Sequence, residues 1–209
     1  MSENYFTVKS PVENVITIER SKFICNIKNV SNETEAREFI DLIRKKYSLA
    51  NHNCYAYIAD NKGLNQKFSD DGEPQGTAGM PMLEVLKNKK MFNTVAVVTR
   101  FFGGIKLGTG GLTRAYSGSV LQALNVANIL NMQKAVRYFV TVDYDGYSKI
   151  LKALNDKNVL VLNTSFDNQI CIDFVIETSM TKTILDKIID TLNGKIKIEE
   201  KESNFFAFN

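Results

Sequence analysis

A glycine-rich segment that joins an apolar run to a helical pattern constrains the fold of this chain most strongly. The run Thr94–Arg100 is almost continuously apolar, which predicts a central strand buried on both faces. Apolar residues recur at helical spacing over residues 112–130, which predicts one long helix. Between the two, residues 103–111 hold five of the chain's twelve glycines. Because glycine permits positive φ and close backbone approach, this segment predicts a tight strand-to-helix turn.

The same turn has the features of an anion site. A strand–turn–helix connection directs free backbone N–H groups and the positive helix end toward one point. Arg100, Lys106 and Arg114 bracket that point. No Gly-Lys-Ser/Thr sequence closes a Walker A loop, and Thr113 stands where G-x-G-x-x-G requires its last glycine. The segment is therefore either a purely structural turn or an anion or nucleic-acid site. The candidate binding residues are Arg100, Phe101, Phe102, Gly103, Gly104, Lys106, Gly108, Thr109, Gly110, Gly111 and Arg114.

A second candidate segment is the acidic loop at residues 68–79, with the sequence FSDDGEPQGTAG. Its three carboxylates, Asp70, Asp71 and Glu73, could bind Mg²⁺, or one could act as a base. The spacing does not match a calcium-binding loop. The alternative is a turn in which Thr77 caps the following helix. The candidate residues of this motif are Asp70, Asp71, Gly72, Glu73, Gly76 and Thr77, with His52 from the strand described next.

The chain's only histidine, His52, lies two residues from Cys54 on one face of a strand predicted over residues 53–59. A Cys–His nucleophile pair is conceivable at this spacing. With no second histidine, a metal site would be short of ligands, so a packed strand end is the favoured interpretation. We therefore predict no catalytic residue, no metal and no cofactor.

The remaining pattern predicts an α+β chain of two domains, residues 1–135 and 136–209. In the second domain, alternating β-branched and aromatic runs and two helical patterns follow in the order βαββαβ, which is the ferredoxin-like arrangement. Thr181 is the predicted cap of its second helix.

In the first domain we predict strands at 14–18 and 22–30, followed by a helix capped by Ser31 or Asn32. A polar loop is predicted over residues 62–78, and after it a short helix with Pro81 in its first turn.

Charge and cysteine content bear on the partners of the chain and on its cellular compartment. Residues 1–136 carry 17 Lys and Arg against 12 Asp and Glu, whereas the remainder carries 9 against 11. This mild excess does not by itself indicate a nucleic-acid binder. Three widely spaced cysteines do not form a disulfide framework, which favours a reducing, cytoplasmic compartment. The sequence has no long apolar segment and no signal-peptide pattern, so we expect no membrane association.

Three motifs resemble those of the IMPACT family, and the resemblance extends over the whole chain. They are the RFFGGxxLGTGGL segment at 100–112, the SDDGEPxGTAGxP segment at 69–81, and the strand with His52 and Cys54. The resemblance implies a first domain like the second domain of ribosomal protein S5, with a left-handed βαβ unit, as in domain IV of elongation factor G. It implies a ferredoxin-like second domain, as in domain V of that factor. Family members often carry Tyr-Tyr where this chain has Phe101-Phe102.

These observations lead to three functional expectations. The first is a non-enzymatic protein that binds RNA, the ribosome or translation factors, with a role in translation regulation. The second is an enzyme or binder acting on a phosphorylated small molecule or nucleotide through the glycine-rich turn and the acidic loop. The third is a protein–protein interaction module that uses the C-terminal domain. RNA or ribosome binding is the preferred expectation, because the carboxylates have no recognisable nucleophile or base beside them.

Overall fold

The chain is an α+β protein built from helices and antiparallel sheets, as the sequence predicts. The computed structural model describes residues 4–194 and 196–208. These residues divide into two compact units, one of residues 5–130 and one of the described residues from 131 onward together with Asn4. None of the helices within the described ranges combines the length and apolar character needed to span a membrane.

The elements up to residue 126 are strands and helices in mixed order. They are β1 (Asn4–Val8), β2 (Val12–Ile18), β3 (Ser21–Asn29), α1 (Glu33–Lys46), β4 (His52–Ile58), β5 (Gln66–Ser69), α2 (Gly79–Asn88), β6 (Thr94–Phe101) and α3 (Gly108–Val126).

The central strand of the first unit is β6, as its apolar run predicts. The sheet order is β2-β3-β6-β4-β5, and neighbouring strands are antiparallel. Val95 and Val97 pack in one core cluster with the buried residues of α1, while Ala96 and Val98 pack in another with α2 and α3. The side chains of a strand alternate between the two faces of a sheet, so helices cover β6 on both sides. This layering places the end of β6 and the start of α3 in one region.

The second unit has the predicted βαββαβ element order. Its elements are β7 (Ile129–Val142), α4 (Tyr144–Leu154), β8 (Val159–Phe166), β9 (Ile170–Glu177), a 3₁₀ turn (Thr178–Met180), α5 (Thr181–Thr191) and β10 (Lys197–Phe208). Within this unit the strands are ordered β10-β7-β9-β8, with antiparallel neighbours. Apolar residues of α4 and α5, among them Ile150 and Ile188, share one core with β7 and β9.

The element boundaries differ from the sequence predictions in several places. Strand β1 was not predicted, and β5 lies within the predicted polar loop. The helix predicted over 112–130 begins at Gly108 and ends at Val126. Strand β7 begins at Ile129, because residues 131–135 pair with the end of β10 and this pairing overrides the helical spacing. Thr181 is the first residue of α5 rather than its cap, which is Met180.

Candidate functional site

The acidic loop and the glycine-rich segment meet at one buried ion pair. Glu73 Oε1 lies 2.6 Å from a terminal nitrogen of Arg100, and both side chains are less than a tenth exposed. The hydroxyl of Tyr116, on α3, donates to the same carboxylate oxygen at 2.7 Å. Because an unpaired buried charge is costly, this arrangement ties the acidic loop to both β6 and α3. The sequence does not predict Tyr116 as a site residue, since nothing in its pattern distinguishes it from an ordinary core aromatic residue.

His52 lies beside this ion pair. It faces Arg100 in the β4–β6 register, and its Nδ1 is 2.9 Å from the carbonyl oxygen of Asp71. A carbonyl can only accept a hydrogen bond, so Nδ1 is the donor in this contact. Nε2 lies 3.9 Å from Glu73 Oε1. His52 therefore offers a polar, partly exposed ring nitrogen next to the Glu73–Arg100 pair.

The other two carboxylates of the acidic loop hold its backbone in place. Asp70 accepts from the amides of Gly76, Ala78 and Gly79 at 2.9 to 3.0 Å, which satisfies free N–H groups where α2 begins. Asp71 accepts from the amide of Asn53 at 2.7 Å and from Arg44 at 2.8 Å. Both carboxylates are thus engaged by donors from the protein. Within the described residues, no group of three or more His, Cys, Asp or Glu side chains forms a potential metal site.

The structure does not place Thr77 as the helix cap that the sequence predicts. The cap position of α2 is Ala78, and the Thr77 hydroxyl donates to the carbonyl of Pro74 at 2.6 Å. Asp70 accepts the helix-start amides instead, because the loop doubles back and brings this carboxylate from eight residues earlier. Sequence spacing could not identify it, since side-chain caps are expected within a few residues of the helix start.

We expect Asp70→Ala to lower the free energy of unfolding by about 1 to 2 kcal/mol, the range for loss of a capping side chain. The change leaves three backbone amides without their carboxylate acceptor. Urea unfolding followed by circular dichroism measures the effect. Asp41→Ala, at an exposed position of α1, is the matched control and should change stability by less than about 0.5 kcal/mol. Equal stabilities for the two variants would contradict the capping role.

Cys54 and His52 do not form an activated nucleophile pair. Cys54 is buried, and its thiol donates to the carbonyl of Asp70 at 2.9 Å. Burial raises the pKa of this thiol to about 12, so it is protonated at neutral pH. Burial likewise raises the pKa of the Tyr116 hydroxyl, which stays a neutral donor. The packed strand end expected from the sequence agrees with this geometry.

The first half of the glycine-rich segment is fixed by close backbone packing. A Cβ on Gly103 would lie 2.0 Å from the carbonyl carbon of Arg20, so only glycine fits there. The amide of Gly103 donates to the Ser21 hydroxyl at 3.2 Å, and the amide of Phe102 donates to the Asn51 side chain at 2.8 Å. These two amides are therefore engaged within the protein. Ser21 and Asn51 carried no sequence signal, because their partners lie 82 and 51 residues away.

The second half of the segment is open to solvent. Gly108, Thr109 and Gly110 form the exposed first turn of α3, whose cap residue, Leu107, makes no side-chain capping bond. Gly104 and Gly108 have positive φ, as a turn of this shape requires. Lys106 and Arg114 are exposed near this turn, whereas Arg100 is buried. Of the three cations that bracket the turn in the sequence, two are thus available to a ligand.

The two phenylalanines have different environments. The ring of Phe101 packs edge-on against Tyr47, with centroids 6.4 Å apart. Phe102 is 46% exposed, and the Arg100 guanidinium lies 5.5 Å from its ring centroid. Phe102 therefore presents a partly free aromatic surface.

Residues of the acidic loop, the strand with His52 and the glycine-rich segment surround a cleft of about 410 Å³ in the first unit. Its lining includes Asn51, His52, Glu73, Phe102, Lys106 and Thr109. The lining brings together polar side chains, the Phe102 ring, Lys106 and the first residues of α3. Such a site suits a ligand with a negative group at Lys106 and a flat apolar part against the ring.

Comparison with known proteins relates this chain to one protein family. The Impact N-terminal domain matches residues 19–124. IMPACT family member YvyE of Bacillus subtilis is 50% identical over 150 residues, which cover 72% of this chain and 69% of that protein. IMPACT family member YigZ of Escherichia coli is 38% identical over 144 residues, covering 68% and 71%.

A solved structure described as a hypothetical protein is similar over nearly the full length. It covers 97% of this chain and 99% of that chain, with a TM-score of 0.61 and 29% identity. The matched domain includes the acidic loop, the strand with His52 and the glycine-rich segment, which together line the cleft. The chain belongs to the IMPACT family.

Proposed function

We propose that this chain binds RNA through the phosphate backbone at the glycine-rich segment, without catalysing a reaction on it. The observation that carries the proposal is that Lys106, the exposed ring of Phe102 and the uncapped first turn of α3 border one cleft. A positive side chain and free helix-start amides suit a phosphate, and an exposed aromatic ring suits a base. A role in translation and attachment to the ribosome belong to the same proposal.

The proposal assigns the phosphate contacts to Lys106 and Arg114, because both are exposed whereas the Arg100 guanidinium is paired with Glu73. His52 and Cys54 give no support for catalysis, since the thiol is protonated and buried. The implied likeness to domain 2 of ribosomal protein S5 supports a nucleic-acid partner by fold analogy alone. The implied ferredoxin-like second domain is consistent with the strand order β10-β7-β9-β8.

We expect the variant Lys106→Ala/Arg114→Ala to bind structured RNA more weakly than the unaltered chain and with a shallower salt dependence. Loss of two phosphate contacts should reduce the slope of log K against log[salt] by about 1.4 to 1.8. Filter binding over a salt series measures both quantities.

The control is Lys45→Ala/Lys89→Ala, which removes two exposed cations near the ends of α1 and α2. This variant has the same net charge as the test variant but leaves the cleft intact. We expect it to keep nearly the unaltered slope. Equal slopes for the two double variants, or no RNA binding at low salt, would show that the proposal is wrong.

A second candidate function, binding of a phosphorylated small molecule, is favoured by the size of the cleft. A volume of about 410 Å³ lies within the range of small-molecule sites. A thermal-shift screen with nucleotides and sugar phosphates, with and without Mg²⁺, tests it. A ligand that raises the melting temperature of the unaltered chain but not of Lys106→Ala would support this candidate. No shift across the panel would count against it.

A further inference from the structure

The glycine-rich segment also lines a second cleft. This cleft has a volume of about 500 Å³, and its lining includes Ile18, Glu19, Ile105 and Arg114. Lys106 and Leu107 line both clefts. Residues 106 and 107, here called the ridge, therefore belong to both clefts, and the Lys106 side chain on it is exposed.

Each cleft places exposed apolar surface near a cation. In the first cleft this surface is the ring of Phe102, which is 46% exposed. In the second it is Ile105, which is 37% exposed, and Arg114 lies in the same lining. Isolated apolar side chains at a surface need no explanation, but these two line adjoining clefts that share one exposed lysine, Lys106. This pattern suits a ligand that alternates flat apolar groups with negative charges.

A single-stranded nucleic acid has that alternation, whereas a duplex does not offer it. In a duplex the bases are stacked inside, and a protein meets phosphates, sugars and base edges. In a single strand the base faces are free to stack on aromatic side chains while the phosphates follow a positive groove. Glu19, on the wall of the second cleft, would repel a phosphate, which favours phosphate positions at Lys106 and Arg114.

From this geometry we infer that the chain holds a single-stranded RNA segment across the ridge, with two neighbouring nucleotides in the two clefts. One base stacks on Phe102, the next packs against Ile105, and the phosphate between them lies at Lys106. The inference rests on the proposed RNA binding and specifies the form of RNA that the site takes.

The test compares a labelled RNA single strand of about ten nucleotides with a duplex of the same sequence, by fluorescence anisotropy. We expect the unaltered chain to bind the single strand at least about tenfold more tightly than the duplex.

Phe102→Ala should weaken single-strand binding by about tenfold without changing the slope of log K against log[salt], because it removes stacking and no charge. Phe102→Trp should retain binding, since it keeps an aromatic face. Phe166→Ala, at an exposed phenylalanine of β8, is the control and should bind as the unaltered chain does.

The outcomes separate this inference from the function on which it rests. Equal affinity for single strand and duplex, or unchanged single-strand binding by Phe102→Ala, would overturn the inference. If Lys106→Ala/Arg114→Ala still loses binding in that case, the proposed RNA binding stands. Absence of binding to both forms at low salt would overturn both. A urea unfolding midpoint measured for Phe102→Ala verifies that any loss of binding comes from a folded protein.

Discussion

Replacing Glu73 by alanine is expected to lower the free energy of unfolding by about 3 to 5 kcal/mol. The substitution leaves the Arg100 guanidinium buried without its counter-ion, and it removes the acceptor of the buried Tyr116 hydroxyl. Removing one partner of a buried pair costs far more than the pair contributes, because the remaining charge stays desolvated. Urea unfolding of the full chain, followed by circular dichroism, measures the change.

Two further variants show whether the buried charge is the cause. Glu84→Ala breaks an exposed ion pair with Lys87 and should cost less than about 1 kcal/mol. The double variant Glu73→Ala/Arg100→Met removes both charges and should recover part of the lost stability. If Glu73→Ala is no more destabilising than Glu84→Ala, the buried pair does not hold the two loops together.

Gly103→Ala is the second change expected to have a large effect. The added Cβ would lie 2.0 Å from the carbonyl carbon and 2.1 Å from the carbonyl oxygen of Arg20. These are backbone atoms, which cannot move aside as the end of a flexible side chain can. The segment would have to shift away from the β2–β3 turn, which also breaks the hydrogen bond from Gly103 to Ser21. We expect a loss of about 2 to 3 kcal/mol in the free energy of unfolding, typical of overpacking.

The matched control is Gly118→Ala, which lies within α3 and has open space where the Cβ would be. Because alanine has a higher helix propensity than glycine, this variant should be more stable by about 0.5 to 1 kcal/mol. The same substitution is thus expected to act in opposite directions at the two positions. Thermal melts measure the two shifts, and a stabilised Gly103→Ala variant would contradict the close packing described above.

The sequence predicted well those elements whose signals are local. The near-continuous apolar run at 94–100 predicted a strand buried on both faces, and the structure confirms it. The helix expected after Ser31 or Asn32 begins at Glu33, and the side chain of Asn32 accepts from the amide of Glu35. In the first case the signal is one short apolar run, and in the second it is a cap directly followed by helical spacing, so no distant contact has to be known.

Predictions failed where a distant segment supplies the partner. β5 lies in a region that resembles a polar loop, and it forms a strand because β4 offers its edge. The cap assigned to Thr77 is supplied instead by Asp70, whose position depends on the path of the loop. Arg100 looks like an available cation in the sequence, but Glu73 neutralises it in the folded chain. A one-dimensional pattern carries no information about such pairings.

The sequence alone determined the α+β class, the element order of the second unit and the motifs of the IMPACT family, because spacing and residue type encode all three. Only the tertiary structure decided that the acidic loop and the glycine-rich segment border one cleft. That meeting depends on the antiparallel register that sets His52 opposite Arg100, and on the packing of α3, which brings Tyr116 to Glu73. Strand register is fixed by the burial of whole faces and not by any single residue, so it emerges only when the sheet has formed.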